Sequence, residues 1–230
     1  MNTLGEVKSL IRRLHELEQR ELAAWLTESL PDSWQVAEPA APYGPAAENV
    51  DTFTVEEYLA LEESSPIRHE YAAGQIYAMS EPLRRHRLIA GNIFAATHGH
   101  LRGKPCRPYI EKERVNIKAH GTNYFYYPDV VVGCGKMPDD PERLIEEYRL
   151  VVEVMSRSTE RIDRREKAII YRELPSMQEI VLVSQKAALI TVYRRAADWA
   201  PVVLASLDQT LELQSIDLML PLRQIYEGLP

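Results

Sequence analysis

A mixed α/β fold, with a central mixed β-sheet flanked by helices, is what this sequence predicts, and three observations carry it. Apolar runs such as Val130-Val131-Val132 and Leu150-Val151-Val152-Glu153-Val154-Met155 are strand-sized and rich in β-branched residues. Between them lie segments with apolar residues at three- and four-residue steps, the period of a helix packed on a sheet. The 230 residues, 45% hydrophobic and 27% charged, suffice for one sizeable domain with an appendage.

The elements follow in order. Leu4, Val7, Ile11 and Leu14, then Leu22, Trp25, Leu26 and Leu30, keep helical spacing until Pro31 stops it. Residues 1–34 are therefore read as a helical extension and residues 35–50, with Pro39, Pro42, Pro45 and several alanines, as a Pro/Ala-rich linker. The extension is too short to own a core, so its apolar stripe is expected to pack on the main domain or on a second copy. The main domain is assigned to 51–230. A short helix opens at Thr54-Val55-Glu56-Glu57, with Thr54 or Thr52 as its cap. Arg68–Tyr71 and Gln75–Met79 alternate around Ala73-Gly74, which reads as a hairpin. Arg85–Leu101 has helical spacing through Leu88, Ile89, Ile93 and Phe94. Strands are expected near Arg114–Ile117, Val130–Val132 and Leu150–Met155, then a helix over Thr159–Glu173 ending before Pro175. Further strands are expected at Glu179–Val183, Leu189–Tyr193, Val202–Ala205 and Leu211–Leu213.

Composition narrows the function. The net charge of −7 argues against a generic, salt-driven nucleic-acid binder but not against an enzyme that touches nucleic acid locally. Residues 81–120 oppose that average, with nine lysines and arginines against Glu81, Glu111 and Glu113. This basic segment is read either as the approach of an anionic substrate or as a solvated face. The apolar runs are too short to span a bilayer, and Met1–Glu6 lacks the basic start of a signal peptide, so no membrane association and a cytoplasmic location are expected. Cys106 and Cys134 lack zinc-site spacing and are expected to be reduced thiols.

Two apolar runs each spend a position on an acid: Asp129 at the start of one, Glu153 inside the other. Desolvating an unpaired carboxylate is costly, so two on neighbouring strands suggest a shared ligand, most commonly a divalent cation. In a strand Val151, Glu153 and Met155 share one face, leaving Leu150, Val152 and Val154 for a helix. An acid followed two residues later by lysine is a metal-nuclease arrangement, but Met155 occupies that place. Lys167 lies on the following helix and could return its ammonium to the cleft, or could pair with Asp163 one turn earlier.

The strings Arg68-His69-Glu70-Tyr71-Ala72-Ala73-Gly74, Tyr127-Pro128-Asp129-Val130-Val131-Val132 and Val152-Glu153-Val154-Met155-Ser156-Arg157-Ser158-Thr159, with Asp163, Lys167 and Tyr171, resemble the Uma-two restriction-endonuclease family. That family is a branch of the PD-(D/E)XK nuclease-like superfamily, and the resemblance spans roughly Thr52 to Glu227. It implies a restriction-endonuclease-like core and a lysine that has migrated to the helix. It further implies Asp129 and Glu153 as ligands of Mg²⁺ (or Mn²⁺), Lys167 as the catalytic lysine and Glu70 as an early acid that joins the metal. Glu70 can equally be an exposed hairpin acid. His86, in Arg84-Arg85-His86-Arg87, matches a family histidine and is read as a phosphate contact or proton shuttle, or equally as a capping or packing residue. Arg157 stands where many relatives carry proline, and Ile110-Glu111-Lys112-Glu113 departs from the usual Ser-Ser-Asp stretch, leaving that segment without an assigned role.

The expected function is a Mg²⁺-dependent endonuclease acting on DNA, as a homodimer or higher homo-oligomer. The alternative is a non-catalytic nuclease-fold protein that binds nucleic acid or a protein partner, such as an oligomeric toxin–antitoxin-type regulator. Lesser candidates have plainer readings. Asp139-Asp140 and Glu146-Glu147 read as a solvated acidic loop, His98 and His100 as residues on different helix faces, and Tyr124–Tyr127 as a half-buried strand.

Overall fold

A computed structural model of the chain describes residues 52–79, 81–135, 147–155 and 167–229, all inside the unit Asp51–Pro230. The expected 1–34 extension, the 35–50 linker, the pair Asp139-Asp140 and the first part of the Thr159–Glu173 helix, with Asp163, lie outside the described residues.

The domain opens with helix α1 (Val55–Ser64). Thr54 Oγ1 accepts from the Glu57 amide at 3.2 Å while the Glu57 carboxylate accepts from the Thr54 amide at 2.8 Å, so two orphan amides of the first turn are satisfied reciprocally. Strands β1 (His69–Ala72) and β2 (Gln75–Ala78) form the expected hairpin. Its two turn residues, Ala73 and Gly74, both have positive φ, 51° and 92°, as a tight hairpin with the right twist needs. Helix α2 (Arg84–Leu101) follows, then β3 (Arg107–Ile110), β4 (Val115–Ala119), β5 (Thr122–Tyr126), β6 (Val130–Gly133) and β7 (Tyr148–Met155). Helix α3 (Ala168–Arg172) leads to β8 (Glu179–Ser184), β9 (Ile190–Arg194), β10 (Val202–Leu204), β11 (Thr210–Leu213), β12 (Leu218–Pro221) and α4 (Leu222–Ile225).

Among the described residues, a six-stranded mixed sheet runs in the order β10-β9-β8-β7-β6-β3, beside a four-stranded antiparallel sheet, β2-β1-β5-β4, and the hairpin β11-β12. The mixed α/β class is as expected, and among the described residues the site acids come from the six-stranded and four-stranded sheets. In the larger sheet β7 and β8 are parallel, and the other described pairs are antiparallel. Parallel neighbours require a crossover, and α3 lies on it.

One face of the six-stranded sheet carries the core. Leu150, Val152 and Val154 join Val130, Val132 and Ile89, Ile93 of α2 in a single apolar cluster. Glu153 alternates with them and so belongs to the opposite face. Smaller aromatic packing, Tyr58 with Tyr71 and Phe125, holds α1 on the four-stranded sheet. No helix among the described residues is long and apolar enough to cross a membrane.

The cysteines depart from expectation. Rather than two reduced thiols, Cys106 and Cys134 form a disulfide, with Cα atoms 4.1 Å apart. The cause is register. Arg107 faces Gly133 in the β3–β6 pair, and the next residue outward on each strand is a cysteine. Spacing along the chain gave no sign of that register.

Candidate functional site

Four elements bring the site together. Asp129 immediately precedes β6, and the pairing of Val130 with Val152 continues outward to set Asp129 opposite Glu153. Glu153 belongs to the face away from α2, while Asp129, just outside β6, is within reach of the start of α2. The other sheet supplies Glu70 from the middle of β1. Continuing the Tyr71–Phe125 register sets Glu70 opposite Tyr126 at the end of β5. Lys167 stands at the start of α3.

Lys167 is 8% exposed rather than solvated. Its Nζ donates to Glu70 Oε1 at 2.8 Å and lies 3.8 Å from Glu153 Oε1. It also sits over the Tyr126 ring, 5.4 Å from the centroid. The Tyr171 hydroxyl, one turn further along α3, donates to the same Glu153 oxygen at 2.8 Å. Lys167 and Tyr171 are four residues apart, so one helix face delivers both donors. Tyr171 is completely buried, and its phenol is pushed well above the ordinary tyrosine range, first by burial and then by the negative charge of Glu153 and Glu70. It therefore serves Glu153 as a neutral donor.

Asp129 has its own partners. Its Oδ2 accepts from the Val154 amide at 2.6 Å, and its Oδ1 accepts from His86 Nε2 at 2.7 Å. His86, two residues into α2, thus ties the start of that helix to the acid instead of capping it. The Asp129 carbonyl in turn accepts from the Glu111 amide at 3.2 Å, with Glu111 in a left-handed conformation, φ 63°. The segment left without a role in the sequence thus pins the backbone of Asp129 through Glu111, while Glu113 accepts from the Tyr148 hydroxyl at 2.7 Å.

Behind these acids lies a residue that sequence reasoning missed. Glu62, 4% exposed on α1, accepts from the Tyr127 hydroxyl at 2.6 Å and from the His69 amide at 2.8 Å. The His69 ring Nδ1 is 2.9 Å from the same carboxylate, and Arg68 Nη1 is 3.6 Å away. Tyr127 also donates its amide to Glu70 Oε1 at 3.3 Å. Glu62 therefore anchors the two segments that carry Glu70 and Asp129. The one signal available was an acid late in α1, at a position an amphipathic helix buries.

The side chains suit a hard divalent cation in kind. Glu70, Asp129 and Glu153 offer carboxylate oxygens with side chains 13%, 17% and 6% exposed, and one ammonium lies between two of them. Among the described residues no three His, Cys, Asp or Glu side chains converge in ready ligand geometry. Mg²⁺ keeps several waters and takes one or two carboxylates, a donor type that Asp129 and Glu153 supply in kind. Of the lesser candidates, His98 stacks on Phe94 and His100 Nε2 lies 2.9 Å from the Ile216 carbonyl, so they share no site, while Tyr124, Phe125, Tyr126 and Tyr127, expected to be half-buried, are all buried.

Comparisons with known proteins bear on the family and the fold. Residues 55–223 match the model of the Uma2 family, described as "Putative restriction endonuclease". The uncharacterized protein slr1290 of Synechocystis is 36% identical over 176 residues, covering 76% of this chain and 91% of the relative. A second uncharacterized Synechocystis protein, sll1609, is 26% identical over 147 residues, covering 63% of this chain and 82% of its own. A crystal structure from Anabaena variabilis, titled a putative nuclease belonging to DUF820, superposes with a TM-score of 0.63 at 17% identity, over 76% of this chain and 97% of that one. At that identity the likeness speaks for the fold.

Proposed function

The chain belongs to the Uma2 family of restriction-endonuclease-like proteins, and from that premise we propose that it is a Mg²⁺- or Mn²⁺-dependent endonuclease acting on DNA. The observation that carries the reading is the placement of a buried lysine from α3 between Glu70 and Glu153, with Asp129 opposite Glu153 in register.

Asp129 and Glu153 are the residues that would hold the ion, with Glu70 joining directly or through water. The ion supplies Lewis-acid polarisation of the scissile phosphate and lowers the pKa of a water for attack. The protein's own groups do the rest. The Val154 amide and His86 fix both oxygens of Asp129, which sets the direction of its lone pairs. Tyr171 holds Glu153 Oε1 from the buried side. Lys167 orients the attacking water or offsets negative charge that develops on phosphorus, and release from Glu70 frees its ammonium for that task.

Supercoiled plasmid with Mg²⁺ or Mn²⁺ is the test. Wild type is expected to nick or linearise it, and Asp129→Ala and Lys167→Ala to lose at least about a hundredfold. Equal rates in all three proteins would remove the proposal. A second reading, a non-catalytic nuclease-fold protein that binds nucleic acid or a protein partner, draws on the absence of ready ligand geometry among the described residues. Retained DNA binding without measurable metal binding would select it. Self-association through residues 1–50 is tested by comparing the solution mass of the full chain and a chain beginning at Asp51.

A further inference from the structure

A cavity of about 380 Å³ opens at the far end of α2, lined by His98, Arg102, Lys104, Cys106, Arg107 and Tyr109 among others. Among the described residues its lining contains three full cations and a histidine and no carboxylate, on a chain whose net charge is −7. Arg102, Lys104 and Arg107 are all exposed. Among the described residues no carboxylate lies within ion-pair distance of any of the three. Lys104 Nζ is instead steadied 2.8 Å from His100 Nε2. The end of a helix favours cations in its own right, because its last carbonyls are partly negative. That accounts for Arg102 and Lys104 but not for Arg107, which arrives from β3 on the edge of the six-stranded sheet.

The cavity and the acid cluster are joined by the same two elements. His86 at the start of α2 contacts Asp129, and sixteen residues of helix later stands Arg102, a span of roughly 24 Å at ~1.5 Å per residue. Arg107 is four residues along β3 from Glu111, whose amide donates to the Asp129 carbonyl, a span of roughly 13 Å at ~3.3 Å per residue. Duplex DNA advances ~3.4 Å per base pair, so these spans correspond to about four to seven base pairs.

Resting on the nuclease reading above, we propose that this cavity is a second phosphate site. It takes a backbone phosphate of the same nucleic acid whose scissile phosphate lies at Asp129 and Glu153, about four to seven base pairs away. Arg102, Lys104 and Arg107 neutralise that phosphate and its two neighbours, one each. The site sets where the strand enters and carries no sequence preference.

Fluorescence anisotropy of a labelled 24-base-pair duplex, without divalent metal and at 50 to 200 mM salt, tests this on the full chain. Relative to wild type, the triple variant Arg102→Gln/Lys104→Gln/Arg107→Gln is expected to lower the slope of log affinity against log salt by about 2.7, at ~0.9 per lost phosphate contact. Wild type then loses about 40-fold more affinity than the variant over that fourfold rise in salt. If the triple variant does not fold, each single glutamine variant carries the test, with an expected drop of about 0.9. An unchanged slope, with or without a lowered Tm, would leave the three residues as helix-end and surface charges and overturn the second site while sparing the nuclease reading. Failure of wild type to bind any duplex would overturn both.

Discussion

Replacing Lys167 by Met deletes an ammonium 2.8 Å from Glu70 Oε1 and 3.8 Å from Glu153 Oε1 while keeping a side chain of similar reach. The two acids are 13% and 6% exposed, so water cannot take over the role of the lost cation. Removing one partner of a buried ion pair costs about 3–5 kcal/mol, chiefly because the charge left behind is uncompensated. For a chain of this size each kcal/mol moves Tm by about 2–4 °C, so the variant should melt about 6–20 °C below wild type. Circular dichroism melts in EDTA at neutral pH measure it. Adding Glu70→Gln to Lys167→Met should recover about 0.5–3 kcal/mol, since the two residues are in contact. A loss under about 1 kcal/mol, the range of an exposed pair, would refute the argument that Lys167 is held inside the cleft.

Four further outcomes follow from the same geometry. Tyr171→Phe leaves Glu153 Oε1 without its phenol donor and should cost about 1–3 kcal/mol in a denaturant titration. Glu62→Ala strands the Tyr127 hydroxyl and the His69 amide and should cost about 3–5 kcal/mol, with plasmid cleavage lost in proportion to folded protein. Tyr226 is pushed up to about 12 by burial, so its neutral form favours the folded state. Above the unfolded value of 10.0 the unfolded chain loses the proton first, so stability should fall as pH rises from 10 to about 12, and Tyr226→Phe should make that fall shallower by up to one proton. Dithiothreitol opens the Cys106–Cys134 loop, 28 residues in separation, and should lower stability by about 3–4 kcal/mol at neutral pH.

Much of the fold could be read from local pattern because local physics dictates it. Thr54 and Glu57 form their capping box within one turn, and Ala73-Gly74 closes its hairpin between neighbours. Glu153 alternates away from Val152 and Val154, which the β7 pattern alone required. What escaped depends on contacts between distant segments. Strand β3 begins with Arg107 and Pro108, a poor strand signal because proline lacks an N–H for the ladder, and is a strand because β6 pairs with it. The disulfide needs that register, and Glu62 gains its role only when β1 and Tyr127 close over it. The link between His86 and Asp129 spans 43 residues of sequence and had no local signal.

The account rests on Asp129 and Glu153 forming one cation site beside Lys167. Calorimetric titration of the metal-free full chain with Mn²⁺ measures that directly. Wild type should bind with measurable heat, Asp129→Asn and Glu153→Gln should each weaken binding by at least about tenfold, and both variants should keep the wild-type fold by circular dichroism. Equal Mn²⁺ binding by wild type and both variants, or none by wild type, would contradict it.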